Sequence, residues 1–335
     1  MRRRFLLLAC ALLLPVGARA AFEKSWNPPV VDLRVGLSQA VLRDPSLAEG
    51  SGQAGYVQLE RGGVVGVLLP LPAREPDAQR QTNALSEYLT LRGALESSQR
   101  FAIDDCRRRT GRISAWFELE AANELAETPS AVALWVERGV RVFRIGGERD
   151  NRLATLVSGA NAAPTGLTPV GREVVNRILA AGALVDVSDA SEQTLFQVLE
   201  LAQKVSAPVI ATHSNARALA DRPRNLSDDA IRGIARSGGV IGVTVLRDSL
   251  AAGRAATLDH WVHHIAYLVR IAGPEHVALG TGFESGAGPV RDFLGARDFP
   301  RLATSLRSAG LSAPDVERVF SRNAERILCA TRVRR

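Results

Sequence analysis

Eight short runs of β-branched and apolar residues recur along this chain, separated by longer segments of helical character, and this alternation narrows the possible folds more than any other feature. The runs are Val30–Leu33, Val64–Leu69, Ser114–Leu119, Val140–Ile145, Leu184–Val187, Pro208–Thr212, Val240–Val245 and His276–Thr281. Between them, Ser191–Lys204, Asp228–Ser237 and Leu258–Ala272 place apolar residues at three- and four-residue spacing, and Asp228 and Asp229 favour a helix start there. Strands alternating with helices imply a parallel sheet. Eight such strands in a chain of this length predict a (β/α)8 TIM-type barrel, with a doubly wound open sheet as the alternative.

The first 20 residues are read separately. Arg2, Arg3 and Arg4 precede an apolar run from Phe5 to Leu14, and Ala18-Arg19-Ala20 follows as a small-residue cleavage pattern. That is the layout of a secretory signal peptide, and the run is too short to span a bilayer. Cleavage after Ala20 is expected, leaving residues 21–335 as one domain. A twin-arginine signal and a lipoprotein signal at Cys10 are the alternative routes. Removing this segment takes away four arginines and no acids, so the formal charge falls from +7 to +3. The apparent signal for nucleic-acid binding largely goes with it. An exported, periplasmic protein with no transmembrane segment after cleavage is expected. In that oxidising setting Cys106 and Cys329 are able to pair, although sequence leaves the pairing open.

No phosphate-cradling glycine motif follows a predicted strand, and no Gly-x-Ser-x-Gly is present, so neither a nucleotide cofactor nor a nucleophile-elbow hydrolase is supported. In a barrel of this kind, chemistry belongs to the carboxyl ends of the strands. There the chain places Asp32 and Arg34, Glu118 and Glu120, Glu148, Asp186 with Ser188 and Asp189, His213 with Ser214, and Glu284. Ordinary structural roles are also open to them. Ser188 and Asp189 precede a helix and are candidates to cap it. Glu118 and Glu120, two apart, are expected on one side of their strand. Of the five histidines, His260, His263 and His264 fall on a predicted helix, and His276 falls at the amino end of the last strand. Packing or solvated roles are expected for these four.

Several ordered motifs resemble the membrane dipeptidase family, the renal-dipeptidase-like metallopeptidases, from about Val30 to Leu328. The most specific is Pro208-Val-Ile-Ala-Thr-His213-Ser-Asn-Ala-Arg217, followed by Arg222-Pro-Arg224-Asn225-Leu-Ser-Asp228. Gly166-Leu-Thr, Leu184-Val-Asp186-Val-Ser188 and Gly238-Gly239-Val-Ile-Gly-Val support it, as does Asn323. The resemblance implies a barrel with two zinc ions bridged by a glutamate, activating water for attack on a dipeptide bond. It also implies Glu120 as the bridging position, His213 as a histidine ligand and Arg224 as a substrate-binding arginine. At four other positions the pattern departs. The family's opening Asp-Gly-His-Asn-Asp is here Asp32-Leu33-Arg34-Val35-Gly36, its strand-four histidine aligns with Gly147 or Glu148, and its strand-eight catalytic aspartate aligns with Gly282. A further metal-binding histidine is replaced by Asp189.

These replacements predict a degenerate, catalytically impaired homologue that binds a peptide-like ligand or a partner, with no tightly bound cofactor. Arg34 is expected to pair with Glu120 or Asp189 in place of a lost metal. Two of the glycine replacements are expected to empty the pocket and admit a ligand larger than a dipeptide. The alternative is a metal-dependent dipeptidase or an altered hydrolase with one zinc on Glu120, Asp189 and His213 and with Glu284 or Glu148 as acid/base. A homo-oligomer remains open, and no nucleic-acid partner is expected.

Overall fold

The computed structural model describes residues 26–38, 41, 52–71, 84–120, 125–146, 151–155, 166–251, 256–284 and 288–330. The expected signal peptide, Gly147 and Glu148 lie outside them. Nine strands form one parallel sheet: β1 (Val30–Asp32), β2 (Val64–Leu71), β3 (Phe101–Ile103), β4 (Ile113–Leu119), β5 (Val140–Arg144), β6 (Leu184–Asp186), β7 (Val209–Ile210), β8 (Ile241–Val243) and β9 (Val277–Leu279). Their order is β7-β6-β5-β4-β2-β1-β9-β8, with β3 attached to β4. The two ends of that order meet at a bridge between Ala211 and Ile241. There Ala211 N–H donates to Val240 at 3.0 Å and Gly242 N–H donates to Ala211 at 2.7 Å. The sheet is therefore a closed eight-stranded barrel, as the alternation predicts.

The seam is tight. A Cβ on Gly242 or Gly280 would lie 2.1 or 1.7 Å from the Thr212 carbonyl oxygen, so only glycine lets these backbones meet. β3 was not among the predicted strands. It takes the amino-terminal half of β4's edge, Ile113 to Ala115, before β5 joins at Phe117. Three residues ahead of an arginine-rich loop carry too little pattern to be read as a strand.

Helices cover the barrel. Among them are α1 (Tyr56–Arg61), α2 (Ala84–Ser98), α3 (Ala131–Glu137), α4 (Pro169–Ala180), α5 (Glu192–Gln203), α6 (Asp228–Arg236), α7 (Arg247–Leu250), α8 (Leu258–Ala272), α9 (Phe299–Ser308), α10 (Ala313–Glu317) and α11 (Asn323–Ala330). The three predicted helices form within a residue or so of their expected ends. Ser191, not Ser188 or Asp189, caps α5 by accepting from Thr194 N–H, and Ser227 caps α6. The last run begins one residue later than expected, because His276 closes a short 3-10 turn and donates to the Gly239 carbonyl at 2.8 Å. No helix among the described residues is long and apolar enough to cross a membrane.

Side-chain alternation along the strands sorts the interior into layers. Val31, Leu68, Trp116, Val142, Leu184 and Ile210 fill the lower barrel, closed from below by Ala324, Ile327 and Leu328 of α11. Two residues further along four of these strands come Glu118, Arg144, Asp186 and Thr212, all buried. A charged layer thus lies directly above an apolar one.

Cys106, in the loop between β3 and β4, is disulfide-bonded to Cys329 of α11 across 223 residues of sequence. The bond ties the barrel's lower plug to its wall. Replacing both cysteines by serine is expected to lower unfolding free energy by about 2–5 kcal/mol, the usual cost of removing a native bridge that closes a long loop. Equilibrium denaturation of the oxidised wild type and the double variant measures it.

Candidate functional site

Two aspartates at strand ends shape the mouth. Asp186 accepts from Ser188 N–H (2.8 Å) and Oγ (2.7 Å) and from Thr212 N–H (3.0 Å) and Oγ1 (2.7 Å), joining β6 to β7. Asp32 repeats the device, accepting from Arg34 N–H at 3.0 Å and Thr281 N–H at 2.9 Å, and so joins β1 to β9. Burial raises Asp32 to a pKa of about 6 despite these hydrogen bonds. Each aspartate sets the chain beyond it in place, and those following residues carry the site.

Arg34 and Arg144 converge on Glu120. Arg34 forms an ion pair with Glu120 and approaches Glu118 at 3.4 Å. Arg144 lies 2.7 Å from Glu120 and 3.1 Å from Asp189. Asp189 is also gripped at two points by Arg224, with Nε to Oδ1 at 2.6 Å and Nη2 to Oδ2 at 2.7 Å. The expected pairing of Arg34 is thus found with Glu120, and its second partner is Glu118 rather than Asp189. Asp189 reaches its two arginines from a left-handed backbone conformation, φ 63°.

His213 completes the cluster, and its tautomer follows from its neighbour. The Thr212 hydroxyl gives its single proton to Asp186, so towards His213 Nδ1, 2.8 Å away, it acts only as an acceptor. Nδ1 therefore carries the proton and Nε2 carries the lone pair. Nε2 lies 3.2 Å from Arg144 Nη1 and 3.4 Å from Asp189 Oδ2, and in this tautomer it is the arginine that donates to it. Burial, with Arg34 and Arg144 adding to it, lowers His213 to a pKa of about 4, so the ring is neutral.

Burial and the adjacent Asp186 carboxylate push Glu118 well above the usual range, against the pull of Arg34 and Arg144. Burial opposes the charges on Glu120, Asp186 and Asp189 as well, but their cationic and hydrogen-bonding neighbours overcome it and all three are held below their ordinary values. The guanidiniums of Arg34, Arg144 and Arg224 stand against these carboxyl groups. Ion pairs this deep persist because breaking one strands a charge away from water.

The residues that a zinc site would draw on, Glu120, Asp189 and His213, are brought together, but they do not fit a metal as arranged. Their donor atoms face guanidinium N–H groups, and the Nε2 lone pair that would coordinate zinc accepts from Arg144. Among the described residues no group of three or more His, Cys, Asp or Glu side chains is arranged to hold a metal.

The two described glycine replacements are not openings. A Cβ on Gly36 would stand 2.9 Å from the Phe283 carbonyl oxygen, and one on Gly282 would stand 3.0 Å from Leu246, at a φ of 74°. At these two positions the neighbouring backbone or the Leu246 side chain already stands where a Cβ would go. Glu284 turns one carboxylate oxygen to the chain: Oε1 accepts from Ala54 N–H at 3.1 Å, while Glu284 N–H donates to the Gln53 side chain at 3.1 Å. His260 caps α8 through Thr257, and buried His264 braces Ala216 and Leu250. His263 is exposed.

Arg144 is the functional residue that sequence reasoning missed. Its signal was present: an arginine two residues beyond Val142, in a strand flanked by apolar residues, shares the inward face. Arg144→Ala is expected to destabilise the fold by about 3–5 kcal/mol, since it leaves Glu120 and Asp189 undercompensated. Arg144→Lys should recover only part, because a single ammonium cannot span Glu120, Asp189 and His213 together. Thermal and chemical denaturation of both variants provides the comparison. Nitrogen NMR of His213 should show a neutral ring protonated at Nδ1 and titrating near 4. Between pH 6.5 and about 4 the unfolded chain takes up a proton that the folded ring refuses, so His213 lowers stability as pH falls through that window.

The family model for membrane dipeptidase (peptidase family M19) matches residues 25–334. An uncharacterized dipeptidase of Schizosaccharomyces pombe is 25% identical over 97% of this chain and 90% of its own length. An uncharacterized Klebsiella pneumoniae protein from the pqqA 5' region is 38% identical over 49% of this chain and 60% of its own. Among solved structures, a Rhodobacter sphaeroides metallopeptidase liganded with a phosphinate mimic of the dipeptide L-Ala-D-Ala superposes with a TM-score of 0.80. It shows 21% identity and covers 92% of this chain and 100% of that one. The probable dipeptidase PvdM of Pseudomonas aeruginosa gives 0.80 at 21% identity, covering 94% and 98%. These likenesses show the same fold, and the match of the family model along nearly the whole chain shows that this protein belongs to the membrane dipeptidase family.

Proposed function

We propose that this chain is an exported member of the family that has exchanged its hydrolytic metal centre for an arginine–carboxylate cluster and uses the barrel mouth to bind a peptide-like ligand. One observation carries the reading. Arg34 and Arg144 between them engage Glu120, Asp189 and the Nε2 of His213, the donors that a metal would need. A cation added within about 4 Å of a guanidinium meets roughly 4 kcal/mol of repulsion per unit charge at an effective dielectric of 20. Entry of a metal therefore requires Arg144 to leave.

Export is supported by the arginine-led apolar segment of residues 1–20 and by the Cys106–Cys329 bond, which suits an oxidising compartment. A peptide-like ligand is supported by Arg224, whose side chain remains 45% exposed while it holds Asp189, and which therefore meets a ligand carboxylate first. The ligand is held and released unchanged.

Purified protein exposed to excess zinc and then desalted is expected to retain far less than one zinc per chain and to leave dipeptides uncleaved. Stoichiometric zinc with dipeptide turnover overturns the proposal. Arg34→His combined with Gly36→Asp should not restore zinc uptake while Arg144 is present, and it should reduce stability, because the new side chain at position 36 presses on the Phe283 carbonyl. Zinc uptake by that double variant would show that Arg144 is not what closes the site.

A further inference from the structure

The face of the barrel opposite the mouth carries a second charged surface that the ligand site does not use. The loop between β3 and β4 presents Arg107, Arg108, Arg109 and Arg112, all exposed, and the disulfide from Cys106 holds it against α11. Beside them are Arg322, in the turn leading into α11, and Arg326 on α11, both exposed. Acids answer three of these six cations. Glu325 pairs with Arg108 at 2.7 Å, Asp105 pairs with Arg109 at 2.6 Å, and Glu317 pairs with Arg322. The Arg107 and Arg112 side chains form no ion pair within 4 Å among the described residues, although the Arg107 charge is felt by Asp105, which accepts from Arg107 N–H at 2.9 Å. Arg326 donates to the carbonyls of Gly238 (3.1 Å) and Glu275 (3.0 Å) and otherwise feels only the Glu275 charge.

Both ends of the described chain lie on this side. Asn27 packs beside Gly63, at the amino end of β2, where a Cβ on that glycine would come within 2.8 Å of the asparagine amide. The last helix ends at Ala330, one residue beyond Cys329, and Arg332, Arg334 and Arg335 follow in the sequence. None of the exposed large hydrophobic side chains among the described residues comes from this loop or from α11, so the surface offers charge without an apolar wedge.

We propose that this face docks on an anionic phospholipid surface and turns the barrel mouth away from it. Charge complementarity supplies the attraction, and the exported setting proposed above selects lipid over nucleic acid as the polyanion. Binding of this kind is peripheral and salt-sensitive. It does not depend on whether the mouth is hydrolytic.

The test is co-sedimentation of the full exported chain with vesicles of phosphatidylcholine alone or of phosphatidylcholine mixed with phosphatidylglycerol. Binding is expected only to the anionic vesicles, and it should vanish at about 1 M salt, where the screening length is about 3 Å. Arg107→Glu with Arg112→Glu alters two exposed side chains and should leave the melting curve unchanged. It should weaken binding at least about twenty-five-fold, roughly fivefold for each arginine lost. Arg297→Glu with Arg301→Glu, two exposed arginines outside this loop and α11, lowers the net charge by the same four units and should have little effect. Equal binding to both vesicle types, persistence in high salt, an unaffected Arg107/Arg112 variant, or tight binding to duplex DNA while anionic vesicles are ignored would each overturn the proposal.

Discussion

Charge buried inside a barrel of parallel strands survives only if every ion meets its opposite, because the surrounding wall offers no water. Here that constraint falls on Arg144. Strand alternation lifts it above Val142 into the same enclosed layer as Glu118 and Asp186, and its guanidinium is the group that touches Glu120, Asp189 and His213 together. Arg34 and Arg224 close the two sides of the arrangement. Burial and the Asp186 charge push Glu118 upward, while Glu120, Asp186 and Asp189 are held below their ordinary values. The directions of these shifts and the orientation of Asp189 follow from that set of contacts.

The same contacts separate fold from chemistry. The chain has a barrel that superposes on solved metallopeptidases, and Glu120, Asp189 and His213 are side chains of a kind able to hold a metal. Those donors are used differently. Glu120 and Asp189 now satisfy arginines, and His213 accepts a hydrogen bond at the nitrogen that would hold a metal. Family membership therefore fixes the architecture, while the activity is a property of the particular cluster. Gly36 and Gly282 point the same way, since a side chain at either position would strike the neighbouring backbone or Leu246.

Much of the architecture was legible in the sequence because its signals are local. Leu258–Ala272 declares itself by helical period, and the interior strands do so by short β-branched runs between helices. The layout at the carboxyl ends of the strands was also readable, since two-residue alternation places Glu118 and Glu120 together. What escaped depended on contacts between distant segments. β3 is three residues long and exists because β4 has a free half-edge for it. Arg144 is one of many arginines in the chain, and only the strand pairing sets it inside. Glycine at positions 36 and 282 suggested vacated space, because sequence reports the loss of a side chain but not how closely the neighbouring atoms stand around the glycine. The bond between Cys106 and Cys329 was open as a possibility but needed their juxtaposition to be decided.

Anomalous diffraction at the zinc edge, from crystals grown with excess zinc at neutral pH, tests the central claim most directly. The account predicts no anomalous peak among Glu120, Asp189 and His213, and planar guanidinium density for Arg144 in contact with all three. A peak about 2.0–2.1 Å from His213 Nε2, with Arg144 swung away, would contradict it.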